Sequence, residues 1–206
     1  NQLAVPGTIS VQVNWEPILK LREALKAKGG EFQPSAFTMF AYAVTRALAE
    51  HPGMNRIMVG DSILRTYRHV ALGVAVALPG DELVTAVTEG ADTLDWMSFA
   101  NRTRERIEQA RGGKDQATEA VTLSLTNMQN FGLRDAVPVV VPPACGVLFL
   151  GEVYNGLAQN TDELRLQKSV NITLTFDHRI INGVGAANFI NAVKANLEGI
   201  GNLISL

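Results

Sequence analysis

The order of apolar and polar positions divides the chain into alternating strands and helices. Thr8 to Val13 alternates residue by residue and predicts a first strand. Pro17 opens a helix in which Ile18, Leu21 and Leu25 recur at helical spacing, and Gly29-Gly30 ends it. Ser35 is suited to cap a second helix running to about Ala49, with Phe37, Phe40, Ala41, Val44 and Leu48 as its buried stripe and Pro52-Gly53 as its stop. Asn55 to Val59 and Ser62 to Tyr67 read as a hairpin around Gly60-Asp61. Val70 to Ala77 is almost wholly small and apolar, as expected of a central strand covered on both faces. Pro79-Gly80-Asp81 then turns into a strand from Leu83 to Thr88. A helix follows from about Thr93 to Arg111, with Trp96, Phe99, Thr103, Ile107 and Ala110 inward and Gly112-Gly113 closing it.

The second half predicts mostly strand. Val121 to Thr126 alternates, and Ala136 to Val141 and Val147 to Val153 flank Pro142-Pro143. The longest alternation lies between Leu164 and Phe176. Leu164, Leu166, Val170, Ile172, Leu174 and Phe176 share one parity, and Arg165, Gln167, Ser169, Asn171, Thr173 and Thr175 share the other, which predicts one buried and one polar face. Gly183 and Gly185 break the pattern, and Ala186, Ala187, Ile190, Val193 and Leu197 mark a last helix. There is no repeat, low-complexity stretch or linker, so residues 1–206 are expected to form one α/β domain.

Composition narrows the function classes. Of 206 residues, 47% are apolar and 18% charged, which excludes a disordered chain. Eighteen basic against twenty acidic residues leave a net charge of −2 with no like-charge block, which argues against nucleic acid as a partner. The longest apolar run is far too short to span a bilayer, so no membrane partner is expected. Cys145 is the single cysteine, so no internal disulfide forms, and no spacing of ligands suggests a metal. Behind a double proline and with no histidine near it in sequence, it reads as a buried inert thiol. His51 and His69 read as surface residues, and Arg102, Arg104, Arg106 and Arg111 with Glu105 and Glu108 as a solvated helix face. The chain opens at Asn1 without a basic-then-apolar leader, which predicts a piece of a longer protein.

Candidate chemistry concentrates where the longest strand ends. Asp177-His178-Arg179 is followed by Ile180-Ile181-Asn182-Gly183. Continued alternation puts His178 on the apolar side with Phe176, a dry setting in which a neutral imidazole serves as a general base. Asp177 and Arg179 fall on the other face and are expected to pair with each other's neighbours at a rigid strand-to-loop joint. On spacing alone a lone histidine is more often a packed, hydrogen-bonded residue than a catalyst.

The run from Thr175 to Gly183 resembles the Asp-His-Arg-x-x-Asp-Gly signature of dihydrolipoamide acyltransferases, the E2 catalytic domains of 2-oxo acid dehydrogenase complexes. Glu50 to Asn55, Val70 to Val76, Leu125 to Gly132 and Val141 to Ala144 resemble further segments of that family in the same order, so the resemblance covers nearly the whole chain from about Thr8. The wider fold it implies is that of chloramphenicol acetyltransferase: two layers, a mixed sheet with helices mainly on one face. The resemblance implies His178 as the base that deprotonates a thiol of coenzyme A or dihydrolipoamide. It implies Thr126, in place of the family's serine, as the hydroxyl that stabilises the oxyanion. It implies Asn182, in place of an aspartate, as a hydrogen-bonding member of the site, with Asp177, Arg179 and Gly183 supporting it. Ser124, on the same strand face as Thr126, is a spare hydroxyl. Gln129 stands where the family has a glycine, and the strand from Leu83 lacks a proline often found there.

Coenzyme A and a lipoyl group are then substrates, the lipoyl group carried on a domain absent from this chain, as is a subunit-binding segment. Acetyl is the expected acyl group, as in pyruvate dehydrogenase. The implied partners are two further copies in a homotrimer, a larger core built from such trimers, and E1 and E3 subunits. The implied compartment is a bacterial cytoplasm or a mitochondrial matrix. The apolar tail Ile200, Leu203, Ile204 and Leu206 is expected to seek a partner surface. The departures at Thr126 and Asn182 leave open a second reading, a non-catalytic E2-like core subunit whose role is assembly.

Overall fold

The long alternation forms β9 (Leu166–Asp177), and the rest of the sheet is arranged around it. The structure is a computed structural model that describes residues 4–29, 33–60, 62–159 and 161–204. β1 (Pro6–Asn14) is an edge strand antiparallel to β9. On the other side of β9 lie β7 (Gly146–Leu150), β6 (Val121–Asn127), β4 (Ala71–Ala77) and the far edge β5 (Leu83–Thr88). β4, β6 and β7 are mutually parallel, and every other pairing is antiparallel, so the sheet is mixed as expected. β2 (Arg56–Val59) and β3 (Ile63–Thr66) form the anticipated hairpin apart from the main sheet; Asp61 of its turn lies outside the described residues.

Helices cover one face. α1 (Glu16–Lys28) carries a proline in its first turn, where the missing N–H costs nothing. α2 (Ala36–Glu50) is capped by Ser35, whose hydroxyl accepts the Thr38 N–H at 3.1 Å. α2 is buried between α1, α3 (Trp96–Arg111) and α4 (Gly183–Glu198), which explains its nearly all-apolar sequence. The core joins Phe40, Val44, Leu48, Phe99 and Phe189 of these helices to Leu72, Leu123, Leu148, Ile172, Leu174 and Phe176 of the sheet.

Several expectations are corrected. Ala136 to Val141 is extended but joins no ladder; it is part of the segment 128–145 that carries the chain from the end of β6 back to the start of β7. Parallel neighbours require such a return. It runs over the sheet's second face, where Asp135 accepts a hydrogen bond from the Asn171 amide at 2.8 Å. Thr173 and Thr175 are buried although their parity is polar. Ser10 accepts from Thr173 at 3.0 Å and Thr8 shares a hydrogen bond with Thr175 at 3.2 Å, so these hydroxyls are satisfied. Leu164 and Leu166 have core parity but are 92% and 65% exposed, because they lie beyond the reach of the helices. The stretch predicted as Val147 to Val153 stops at Leu150, and a separate β8 (Tyr154–Leu157) pairs with β9. The apolar tail does not face outward: α5 (Ile200–Leu203) and Ile204 pack into the chain's own core, and Leu206 lies outside the described residues.

Candidate active site

The chain leaves β9 through a joint built by one carboxylate. Asp177 Oδ1 accepts the Arg179 backbone N–H at 3.0 Å, the Arg179 Nε–H at 3.0 Å and the Val5 N–H at 3.3 Å. Oδ2 accepts Nε at 3.1 Å and Nη2 at 2.6 Å. This forked pair is the arrangement guanidinium and carboxylate geometries favour. It corrects the expectation that the two residues pair with neighbours, since they pair with each other. Burial works to raise the Asp177 carboxyl, but the hydrogen bonds from Arg179 and Val5 and the Arg179 charge outweigh it and hold it below its usual range. The Asp177 carbonyl then accepts from Ile180 and Ile181, turning the chain, and Asn182 Oδ1 caps α4 by accepting the Gly185 N–H at 2.8 Å.

His178 sits on this turn between the carboxylate and the cap. Its N–H donates to the Val5 carbonyl at 2.7 Å, and its imidazole lies against the Phe176 ring, centroids 5.5 Å apart and planes inclined by 40°. The expected dry setting is not found: His178 is exposed, because β9 ends one residue earlier and the helix layer does not extend over it. The imidazole is therefore open to a ligand on one side and backed by an aromatic ring on the other. Gly183 opens α4 with free space around its Cα, and no packing within this chain demands a glycine there.

Thr126 lies elsewhere. It is half-buried near the end of β6, beside Phe149 of β7, which is beside Thr173 of β9. Five residues of β9 at about 3.3 Å each and two strand spacings of about 4.8 Å place it roughly 19 Å from His178 of the same chain. The structure thus brings Asp177, His178, Arg179, Asn182 and Gly183 together and leaves Thr126 apart. Ser124 shares its strand face and is also half-buried.

The remaining candidates have structural explanations. Cys145 is buried beside the Met54 sulfur at 3.9 Å, and burial pushes its thiol up to about 12, an inert state at neutral pH. His69 Nδ1 is 3.1 Å from Asp92, whose other oxygen accepts the Val70 N–H at 2.8 Å, tying the turn at residues 91–93 to the start of β4. His51 is half-buried, its ring edge-on to Phe189. Arg102, Arg104 and Arg111 are exposed on α3, whereas Arg106 of the same expected face is half-buried, its Nη1 donating to Gln109 at 3.4 Å. Among the described residues no helix is long and apolar enough to cross a membrane, and no cluster of three His, Cys, Asp or Glu side chains is placed to hold a metal ion. Sequence reasoning missed Val5 and Phe176. Val5 is 172 positions from Asp177 and carries no chemical signal, whereas Phe176 was legible as a core residue but not as the wall of the imidazole.

Residues 2–205 match the model of the 2-oxoacid dehydrogenases acyltransferase (catalytic domain) family. The chain is 31% identical over 196 residues to the dihydrolipoyllysine-residue acetyltransferase component of the acetoin cleaving system of Bacillus subtilis, covering 93% of this chain and 49% of that protein. It is 30% identical to the corresponding component of the mitochondrial pyruvate dehydrogenase complex of Schizosaccharomyces pombe, covering 92% of this chain and 40% of that one. The chain therefore spans about half, or less, of the length of these relatives. Among solved structures, a probable dihydrolipoamide acetyltransferase of Listeria monocytogenes superposes with a TM-score of 0.83 at 26% identity, over 96% of this chain and 86% of the other. An Azotobacter vinelandii dihydrolipoamide acetyltransferase (TM-score 0.87, 21% identity, 97% and 84% covered) was solved to investigate the catalytic role of a serine, a histidine 52 positions later and an asparagine four beyond that. Chloramphenicol acetyltransferase shares the fold, with a TM-score of 0.69 at 17% identity over 93% and 88% of the two chains. A family model spanning nearly every residue, with relatives about three-tenths identical across nine-tenths of the sequence, shows that this chain belongs to the acyltransferase catalytic domains of the 2-oxoacid dehydrogenases.

Proposed function

We propose that this chain is the catalytic domain of an E2 component, moving an acyl group, acetyl foremost, between dihydrolipoamide and coenzyme A. The observation that carries the reading is His178: an open imidazole on a joint fixed by the Asp177–Arg179 pair, inside a chain of the acyltransferase family. The imidazole accepts the proton of the incoming thiol, and the sulfur adds to the thioester carbonyl carbon of the other carrier. The carbonyl π pair moves onto oxygen, where the Thr126 hydroxyl donates to it. Collapse re-forms the carbonyl and breaks the bond to the departing sulfur, which takes the proton back from the imidazolium. One imidazole thus accounts for every proton, typically worth about 10²–10⁴ in rate, and one oxyanion donor for about 10²–10³. The Asn182 side chain caps α4 from the edge of the same joint. Coenzyme A and the lipoyl group enter as substrates, the latter on a separate domain.

Because Thr126 is too far from His178 in one chain, a complete site needs a second copy, and a homotrimer provides three equivalent ones. An exposed surface supports this. Val137, Val139 and Val141, exposed at 70%, 79% and 69%, form an apolar stripe in the segment that follows Thr126. Among the described residues 135–140 make no backbone-to-backbone hydrogen bonds. A solved structural neighbour at TM-score 0.87 and 22% identity is the cubic core of a pyruvate dehydrogenase multienzyme complex, which supports assembly of such trimers into a larger core served by E1 and E3 subunits. The bacterial and mitochondrial relatives support a bacterial cytoplasm or a mitochondrial matrix as the compartment.

The test is steady-state transfer from acetyl-, succinyl- and isobutyryl-CoA to dihydrolipoamide. His178→Ala is expected to lower kcat by about 10² or more with an unchanged circular dichroism spectrum, since the imidazole is exposed. Transfer by His178→Ala at the wild-type rate would refute the site. No transfer by wild type from any of the three thioesters would leave only the assembly role.

A further inference from the structure

β1 enters the sheet beside the joint that carries His178. Gly7 of β1 stands directly opposite Phe176 of β9, one register step from Asp177. The Phe176 ring lies over it: a Cβ built on Gly7 would come within 2.6 Å of Cζ, 3.0 Å of Cε2 and 3.1 Å of Cε1. The centroid of the same ring lies 5.5 Å from that of the His178 imidazole. Gly7 is therefore one aromatic ring away from His178.

Phe176 has a glycine on each neighbouring strand, Gly7 on β1 and Gly146 on β7. A Cβ on Gly146 would meet the Thr175 carbonyl, Leu174 and Leu123 rather than the Phe176 ring, so the ring rests on the β1 side. Gly7 has no left-handed backbone angle and sits in a regular strand, so only the space above it calls for glycine. An aromatic side chain folded over an edge-strand glycine is a known way to fill such a gap. Phe176 is buried in the core, so displacement of its ring is passed to what touches it.

We infer that Gly7 is a positioning residue for His178: it keeps the space in which the Phe176 ring lies, and that ring is the wall against which the imidazole rests. The inference rests on the proposed role of His178. A methyl group at position 7 obliges the ring to retreat by about 1 Å to reach ordinary contact distance. A misplacement of about 1 Å at a reacting group costs up to about 10²-fold in rate.

The experiment compares the intact assembly with Gly7→Ala, Phe176→Leu and the double variant. Gly7→Ala is expected to lower kcat about tenfold or more while KM for coenzyme A stays within about twofold, because the ring touches the base and not the carriers. Adding Phe176→Leu removes the colliding ring and is expected to recover activity about threefold over Gly7→Ala, the opposite of additive damage. A second readout does not depend on turnover. The chain has three histidines, His51, His69 and His178, and ¹³Cε1-histidine NMR identifies the His178 signal by its loss in His178→Ala. Gly7→Ala should move that signal while the other two stay in place. An unmoved His178 signal, or a kcat within about twofold of wild type, overturns the inference. If Gly7→Ala does not fold, Phe176→Leu decides, since an unmoved His178 signal there overturns it equally. A moved signal in an assembly whose wild type transfers no acyl group upholds the positioning and refutes the proposed function instead.

Discussion

Complementation between two dead variants measures how the site is divided between chains. Thr126→Ala removes the proposed oxyanion donor and His178→Ala the proposed base, so each homogeneous assembly is expected to lose about 10² or more in kcat. Within one chain the two residues are separated by two strand spacings and five residues of β9, roughly 19 Å, several times the reach of any hydrogen-bonded reacting centre. If each site pairs His178 of one chain with Thr126 of the next, random mixing makes about a quarter of the sites intact, a quarter doubly defective and the rest singly defective. Co-expressed, differently tagged variants purified through both tags should regain activity towards about a third of wild type, because the tags remove unmixed trimers and each mixed trimer holds one intact site in three. Assemblies mixed only after purification, without subunit exchange, should show none of that gain. Proven mixed trimers that stay at the level of the single variants would refute the shared site, because they would mean that each chain needs both of its own residues. A monomer in sedimentation equilibrium at assay concentration would refute it without kinetics.

Two further outcomes follow from the joint. Asn182→Asp keeps an N-cap acceptor for the Gly185 N–H and should retain activity within about tenfold, whereas Asn182→Ala loses the cap, about 1 kcal/mol of stability by chemical denaturation, and more of the activity; equal losses in both would show that the carboxamide itself is needed. Against its burial, the Arg179 guanidinium and the Val5 N–H hold Asp177 below the usual carboxylate range, so its ionised form stabilises the fold fully above the unfolded carboxyl value, and that contribution is lost as pH falls towards the lower folded value. Asp177→Asn should therefore cost about 2 kcal/mol at pH 7 and flatten the acid limb of a stability–pH curve; an acid limb identical to wild type would show that another carboxylate controls it.

Local chemistry alone determined much of this protein. Ser35 caps α2, the run from Leu83 to Thr88 forms β5 as predicted, and the alternation before Asp177 forms the central strand, because caps and periodicities act over one to four residues. The Asp177-His178-Arg179 joint was legible for the same reason, since its carboxylate, guanidinium and cap lie within six positions of one another. What only the tertiary structure decided depends on which surfaces meet. Periodicity assigned Thr173 and Thr175 to a polar face, yet both are buried with their hydroxyls bonded to Ser10 and Thr8 of β1; it assigned Leu164 and Leu166 to the core, yet both are exposed. The tail that looked ready for a partner folds onto its own core, while the valines read as a strand are the exposed stripe. Strand order likewise separates Thr126 from His178 and brings Val5 to His178 and Gly7 to Phe176, contacts more than 160 positions apart along the chain. A side chain's parity follows from its neighbours in sequence, but what covers it is set by the packing of distant segments, whose burial the local pattern does not encode.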